Sequence, residues 1–209
     1  MERREAVKYI SILLGGAVIG ADAFLSGCKT KTGSTTDWTT EDVAFLNEIG
    51  ETILPRTSTP GAKDANVGQF MTVMVNDCYV EADQKAFREG LGKLNDASEK
   101  KFSKNFMGIT PQQRTELLTE LDKEAKDYQK KVGEFNSAEN KKEKDEIAKG
   151  NKGYVKQHMA PHYFTMMKQL TLLGFFTSQE GMTKAVRYLP APGRYEGCVP
   201  YKKGDKVIV

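Results

Sequence analysis

His158 and His162 stand at i and i+4, the spacing at which two imidazoles on one helix face can share a metal ion. No acid lies between them in the H-E-x-x-H manner; Pro161 does, where it can start a helix between the two rings. They are the chain's two histidines, so a catalytic metal would need Asp, Glu or Cys ligands from elsewhere, and packing or interface use is the plainer reading. The three cysteines are Cys28, Cys78 and Cys198. If Cys28 is taken up by a lipid, as argued below, Cys78 and Cys198 remain, and in an oxidising compartment they can bond to each other or stay as separate thiols. Met166-Met167 beside Phe and Leu at helical spacing reads as core rather than as a redox-metal pair. Gly90-Leu91-Gly92 lacks the third glycine and the preceding strand of a phosphate-binding turn, and no G-x-S-x-G, G-x-G-x-x-G or G-x-x-x-x-G-K-[ST] occurs. With two His and three Cys there is no material for a C-x-x-C-H haem site or a four-cysteine cluster. No catalytic, cofactor-binding or metal residue is therefore assigned to this chain, and any redox chemistry would be a partner's.

Composition narrows the rest. The 209 residues hold 31 Lys and Arg against 28 Asp and Glu, and an excess of +3 is too small for a nucleic-acid binder. An apolar share of 39% suffices for one packed core and excludes a collagen, a wholly disordered chain and a polytopic membrane protein.

Three regions follow along the chain. Residues 1–27 read as an export signal: Arg3, Arg4 and Lys8, then the apolar run YISILLGGAVIGADAFL, then Ser26-Gly27. The run contains Asp22 and falls short of the about 20 apolar residues of a stable span, so excision is expected. Leu25-Ser26-Gly27-Cys28 resembles a bacterial lipobox, which makes Cys28 the lipidated N-terminus of the mature chain. Arg3-Arg4 before a modestly apolar, glycine-bearing segment resembles a twin-arginine signal for folded cargo, with ordinary Sec export as the alternative. No acidic cluster follows Cys28, which leaves periplasmic anchoring, with the leaflet open. Residues 28–37 (CKTKTGSTTD) suit a flexible tether.

From Trp38 the pattern is helical throughout. Thr39-Thr40-Glu41-Asp42 opens a first helix that Pro55 ends. A turn-rich loop, PRTSTPGAKDANVG, leads to a second helix expected over 69–79 with Phe70, Val73 or Met74, and Asp77 or Cys78 on one side, and to a third over 83–101. Thr110-Pro111-Gln112-Gln113 has the residues of a capping box and opens a helix with Leu117, Leu121, Ala125, Tyr128 and Val132 on one face. Residues 122–152 become Lys/Glu-rich and read as a solvated helix or a mobile insertion. Beyond Gly153 an apolar helix through Phe164, Leu170, Phe175 and Phe176 is either central core or a docking face, followed by a short helix over 179–187 and an extended Pro/Gly-rich tail. The expected fold is all-α, one helical domain over 38–209.

Two stretches carry a resemblance: Ile53 to Ala65 (ILPRTSTPGAKDA), and Leu170 to Ser178 leading to Tyr188–Pro200 (YLPAPGRYEGCVP). These, with the leader, resemble the gluconate 2-dehydrogenase subunit 3 family over roughly 38–201, the Lys/Glu-rich stretch excepted. The resemblance implies a non-catalytic small subunit that binds, helps mature and co-exports a periplasmic FAD-dependent large subunit of the glucose-methanol-choline type. That partner would oxidise a sugar or polyol and pass electrons to a cytochrome c or another acceptor, and the lipid at Cys28 would hold the pair to the membrane. The family supplies no catalytic residue to carry over. Interface candidates are Pro55, Arg56, Pro60 and Gly61 in the loop, Phe175 and Phe176 on the apolar helix, and Pro192, Gly193, Arg194 and Tyr195 in the tail; the opposing reading is that these are internal turns packed on their own helices. A stand-alone periplasmic structural or solute-binding lipoprotein is the other function class the sequence allows.

Overall fold

The computed structural model describes residues 38–191, 193, 198–200 and 202–207. Arg3, Arg4, Cys28, Pro192, Arg194 and Tyr195 lie outside the described residues. The chain divides at Asp37, and every described residue belongs to the second unit, which begins at Trp38.

Helix α1 spans Thr40–Ile53. The Thr39 hydroxyl accepts from the Asp42 N–H at 3.1 Å while the Asp42 carboxylate accepts from the Thr39 N–H at 3.0 Å, so two otherwise orphaned donors are satisfied reciprocally. Helix α2 spans Val67–Cys78, starting two residues earlier than its pattern predicts. The cause is tertiary. Asn66 precedes it in the left-handed region at φ 49°, and the cap comes from another helix, where the Asn47 Oδ1 on α1 accepts from Gly68 N–H at 2.8 Å. Of the residues expected on one side, Phe70 and Met74 are half-buried and pack against the core, while Val73, Asp77 and Cys78 are exposed; the fully buried positions are Val67, Gly68, Met71, Thr72 and Val75.

Helix α3, Glu81–Phe102, is tied to α2 by the Gln84 amide, which donates to the carbonyls of Asn76 and Tyr79. After a 3₁₀ turn at Phe106–Gly108, helix α4 runs from Pro111 to Ala148 under the predicted Thr110/Gln113 capping box. At 1.5 Å per residue its 38 residues reach about 57 Å. Leu117, Leu118, Leu121 and Ala125 bury its first half against the body. The Lys/Glu-rich stretch is its distal half, and it does not stand alone, because residues 151–160 fold back along it.

Helix α5, Tyr163–Phe176, packs against α1, α2, α3 and α4. It is the central core helix, and Met166, Met167 and Leu170 are buried in it. Gly90 on α3 allows a close crossing with α5: a Cβ there would collide with the Tyr163 ring. The core gathers Leu46, Ile49, Met71, Val75, Phe87, Leu94, Phe106 and Leu121 around α5, with Phe45 and Phe106 edge to face at 5.4 Å. The short helix expected over 179–187 forms with residues 179 and 180 leading into a π turn at Gly181–Ala185, ending two residues early, and the Ser178 hydroxyl caps its start by accepting from Gly181 N–H. No strand occurs among the described residues, and no helix there is long and apolar enough to cross a membrane.

Candidate partner-binding site

The two histidines do not share a helix face. His162 is the N-cap of α5, its Nδ1 accepting from Phe164 N–H at 3.3 Å, while His158 lies in the extended segment before it with Nε2 2.6 Å from Asp83 on α3. Burial of His162 against Tyr128 and Tyr163 pushes its pKa down, opposed by nearby Glu124, so the neutral imidazole that can accept a cap hydrogen bond is favoured. Among the described residues no group of three or more His, Cys, Asp or Glu is arranged to hold a metal ion. Cys78 and Cys198, expected either as a bonded pair or as separate thiols, are both free and exposed.

The loop after α1 is organised by one carboxylate. Glu51 accepts from the backbone N–H of Arg56 at 2.8 Å and of Lys63 at 3.0 Å, and Gly61 sits so close beneath it that an added Cβ would lie 2.5 Å from its Oε2. Asp64 accepts from Gly61 N–H at 2.9 Å and takes both arms of the Arg56 guanidinium. Gly61 is therefore buried and Pro60 half-buried, whereas Pro55, Arg56, Thr57, Ser58 and Lys63 are exposed. The neighbouring carboxylate, Glu48, joins this loop to α4 by pairing with Lys63 and Arg114. Burial works to raise its pKa, but the hydrogen bonds and charges of those two cations outweigh it and hold the group ionised.

Of the aromatic pair on α5, Phe175 is buried and only Phe176 reaches the surface, which corrects its place among the interface candidates. Phe176 is 42% exposed, and Leu173 at 46% and Leu172 at 38% lie beside it. Positions 172, 173 and 176 fall on one side of a helix, so the buried element of the fold presents an apolar stripe outward. Sequence reasoning missed both leucines, although Thr165, Lys168 and Gln169, at i, i+3 and i+4, mark the outward side on which positions 172 and 176 also fall. Beyond Phe176 the π turn and the loop enclose an open recess of about 470 Å³, lined by Arg56, Thr57, Ser58, Thr59, Glu180 and Lys184 among others. Gly193 in the tail is exposed at φ +74°, a conformation that glycine adopts freely.

A family model described as gluconate 2-dehydrogenase subunit 3 matches residues 40–193, from the start of α1 into the tail. The chain belongs to the gluconate 2-dehydrogenase subunit 3 family. Membership makes it a subunit of a dehydrogenase assembly, associated with other subunits of an oxidoreductase. Comparison with curated proteins and with solved structures gives no match. The subunit 3 match takes in the Glu51-organised loop, the α5 stripe and the π turn together.

Proposed function

We propose that this chain is the non-catalytic small subunit of a periplasmic FAD-dependent dehydrogenase of the glucose-methanol-choline type, acting on a sugar or polyol. It binds the large subunit, helps it mature, carries the export signal for both and tethers the pair to the membrane through Cys28. Electrons then leave the large subunit for a cytochrome c or another acceptor. The observation that carries the reading is the family match over α1 to the tail, and the exposed stripe Leu172, Leu173 and Phe176 supports a binding role, because adjacent exposed apolar side chains mark surfaces used for association. The family relation also fits the leader: FAD is acquired by a folded chain, and a twin-arginine signal suits folded cargo. Co-expression with the dehydrogenase chain and purification through this subunit should bring down a yellow, FAD-containing protein. Leu173→Asp with Phe176→Asp should weaken that association by at least about tenfold while circular dichroism stays unchanged. A chain that remains a monodisperse monomer beside the flavoprotein at high concentration would sink the proposal.

A further inference from the structure

Charge is distributed unevenly along the domain. Residues 184–209 hold six Lys and Arg against Glu196 and Asp205, whereas residues 38–183 hold 20 against 22 acids. The structure gathers part of this excess at one place. The chain returns after the tail so that Arg187 N–H donates to the Val207 carbonyl at 2.8 Å, and the Lys206 ammonium donates to the Lys184 carbonyl at 2.5 Å. Asp205, the acid within this closure, has one carboxylate oxygen taken up by the Lys202 backbone N–H at 2.8 Å. Arg187, Lys202 and Lys203 are exposed and form no ion pair among the described residues. Tyr188, Leu189 and Val207 are exposed beside them. The recess next to this closure adds the Thr57, Ser58 and Thr59 hydroxyls, its own cations Arg56 and Lys184 being already paired with Asp64 and Glu180.

We propose that this basic closure, centred on Arg187, Lys202 and Lys203, receives an acidic protein face on the large subunit; the inference rests on the small-subunit reading and specifies the chemistry of its partner. Exposed cations mixed with apolar side chains suit a protein interface, where the charges steer encounter and set orientation while the apolar groups are covered. An anionic membrane is the competing occupant, and the vesicle arm of the test separates it from a protein face. The chain enters the domain at Trp38, whose indole donates to Asn76 at the end of α2, whereas the closure sits by the loop that follows α1. The 14 residues of α1 separate those ends by about 21 Å, so the point of attachment does not itself bring the closure to lipid.

The test uses the full chain in detergent, with a fluorescein-labelled deca-glutamate peptide as probe. Saturable binding is expected that weakens at least about tenfold from low ionic strength to physiological salt, as screening shortens the reach of the charges. The reversal R187E/K202E/K203E should abolish it with helix content unchanged, whereas a control reversal on distal α4, K141E/K144E, should retain it. The same triple variant should lose most of its co-purifying FAD-containing chain. Equal peptide binding by the two reversals, or undiminished flavoprotein capture by the triple variant, overturns the acidic-face proposal and leaves the small-subunit reading standing. Tighter binding to phosphatidylglycerol vesicles than to the peptide, through the same three residues, overturns it in favour of a lipid surface. If the unmodified chain captures no flavoprotein, it is the small-subunit reading that falls.

Discussion

Glu139 lies in the middle of the most charged stretch of the chain and is nevertheless 2% exposed. Its carboxylate accepts from the Lys142 ammonium at 2.6 Å, the Gln157 backbone N–H at 3.1 Å and the Tyr154 hydroxyl at 2.9 Å. The Lys142 hydrogen bond first, then those from Gln157 and Tyr154, lower its pKa from 4.5 to about 2. One side chain thus fastens the returning segment to α4, helped by Lys156 on Asn140 and Glu143 and by His158 on Asp83. The sign of the pH dependence follows. A carboxyl group whose folded pKa is depressed stabilises the docked segment fully above its ordinary value of 4.5, and that contribution is lost as pH falls from there towards about 2. Hydrogen exchange should therefore show the Gln157 amide losing protection over this interval before the core helices do. Glu139→Ala should raise exchange at Gln157 about tenfold or more at neutral pH, and exchange equal to that of the unmodified chain would show that the segment is held by something else.

At the scale of elements, starts written in local residues were legible and starts supplied by another helix were not. Both capping boxes, Thr39/Asp42 and Thr110/Gln113, stand where their sequences place them. The first turn of α2 depends on Asn47, 21 positions upstream of Gly68, so nothing local marks it. On the same helix, half-buried Phe70 lies against Gly174 of α5, at the edge of the core. Removing the Thr110 cap by Thr110→Ala should cost about 1 kcal/mol, which for a chain of this size lowers Tm by about 2–4 °C; a scanning-calorimetry shift below 1 °C would mean that water replaces the hydroxyl without loss. Helix α4 illustrates the opposite limit. Its distal charges carry ion pairs at i, i+3 such as Lys149–Glu146, each worth only about 0.2–0.5 kcal/mol, so the segment docked at Glu139 contributes to its order.

For the whole molecule, the all-α class and the family were both legible, since hydrophobic periodicity, caps and the two Pro/Gly-rich stretches are properties of order along the chain. The proposed export route belongs to this scale because it concerns the chain together with its partner. Arg3→Lys with Arg4→Lys should abolish appearance of the FAD-containing chain in the periplasm while cytoplasmic levels rise; periplasmic flavoprotein at the original yield would remove the folded-cargo argument. Cys28→Ala should release the assembly from membranes into the soluble periplasmic fraction. The sequence by itself determined which segments become helices, that Pro161 parts the two histidines, and that no motif of a catalytic site is present. Only the tertiary structure decided that Phe176 and two leucines stay uncovered on the outer side of α5, that Glu139 is interior, and that Arg187 meets Val207 beside the loop after α1. The physical reason is that each of these depends on surface left uncovered or on hydrogen bonds closed between residues distant in sequence, and neither quantity exists until the helices are packed.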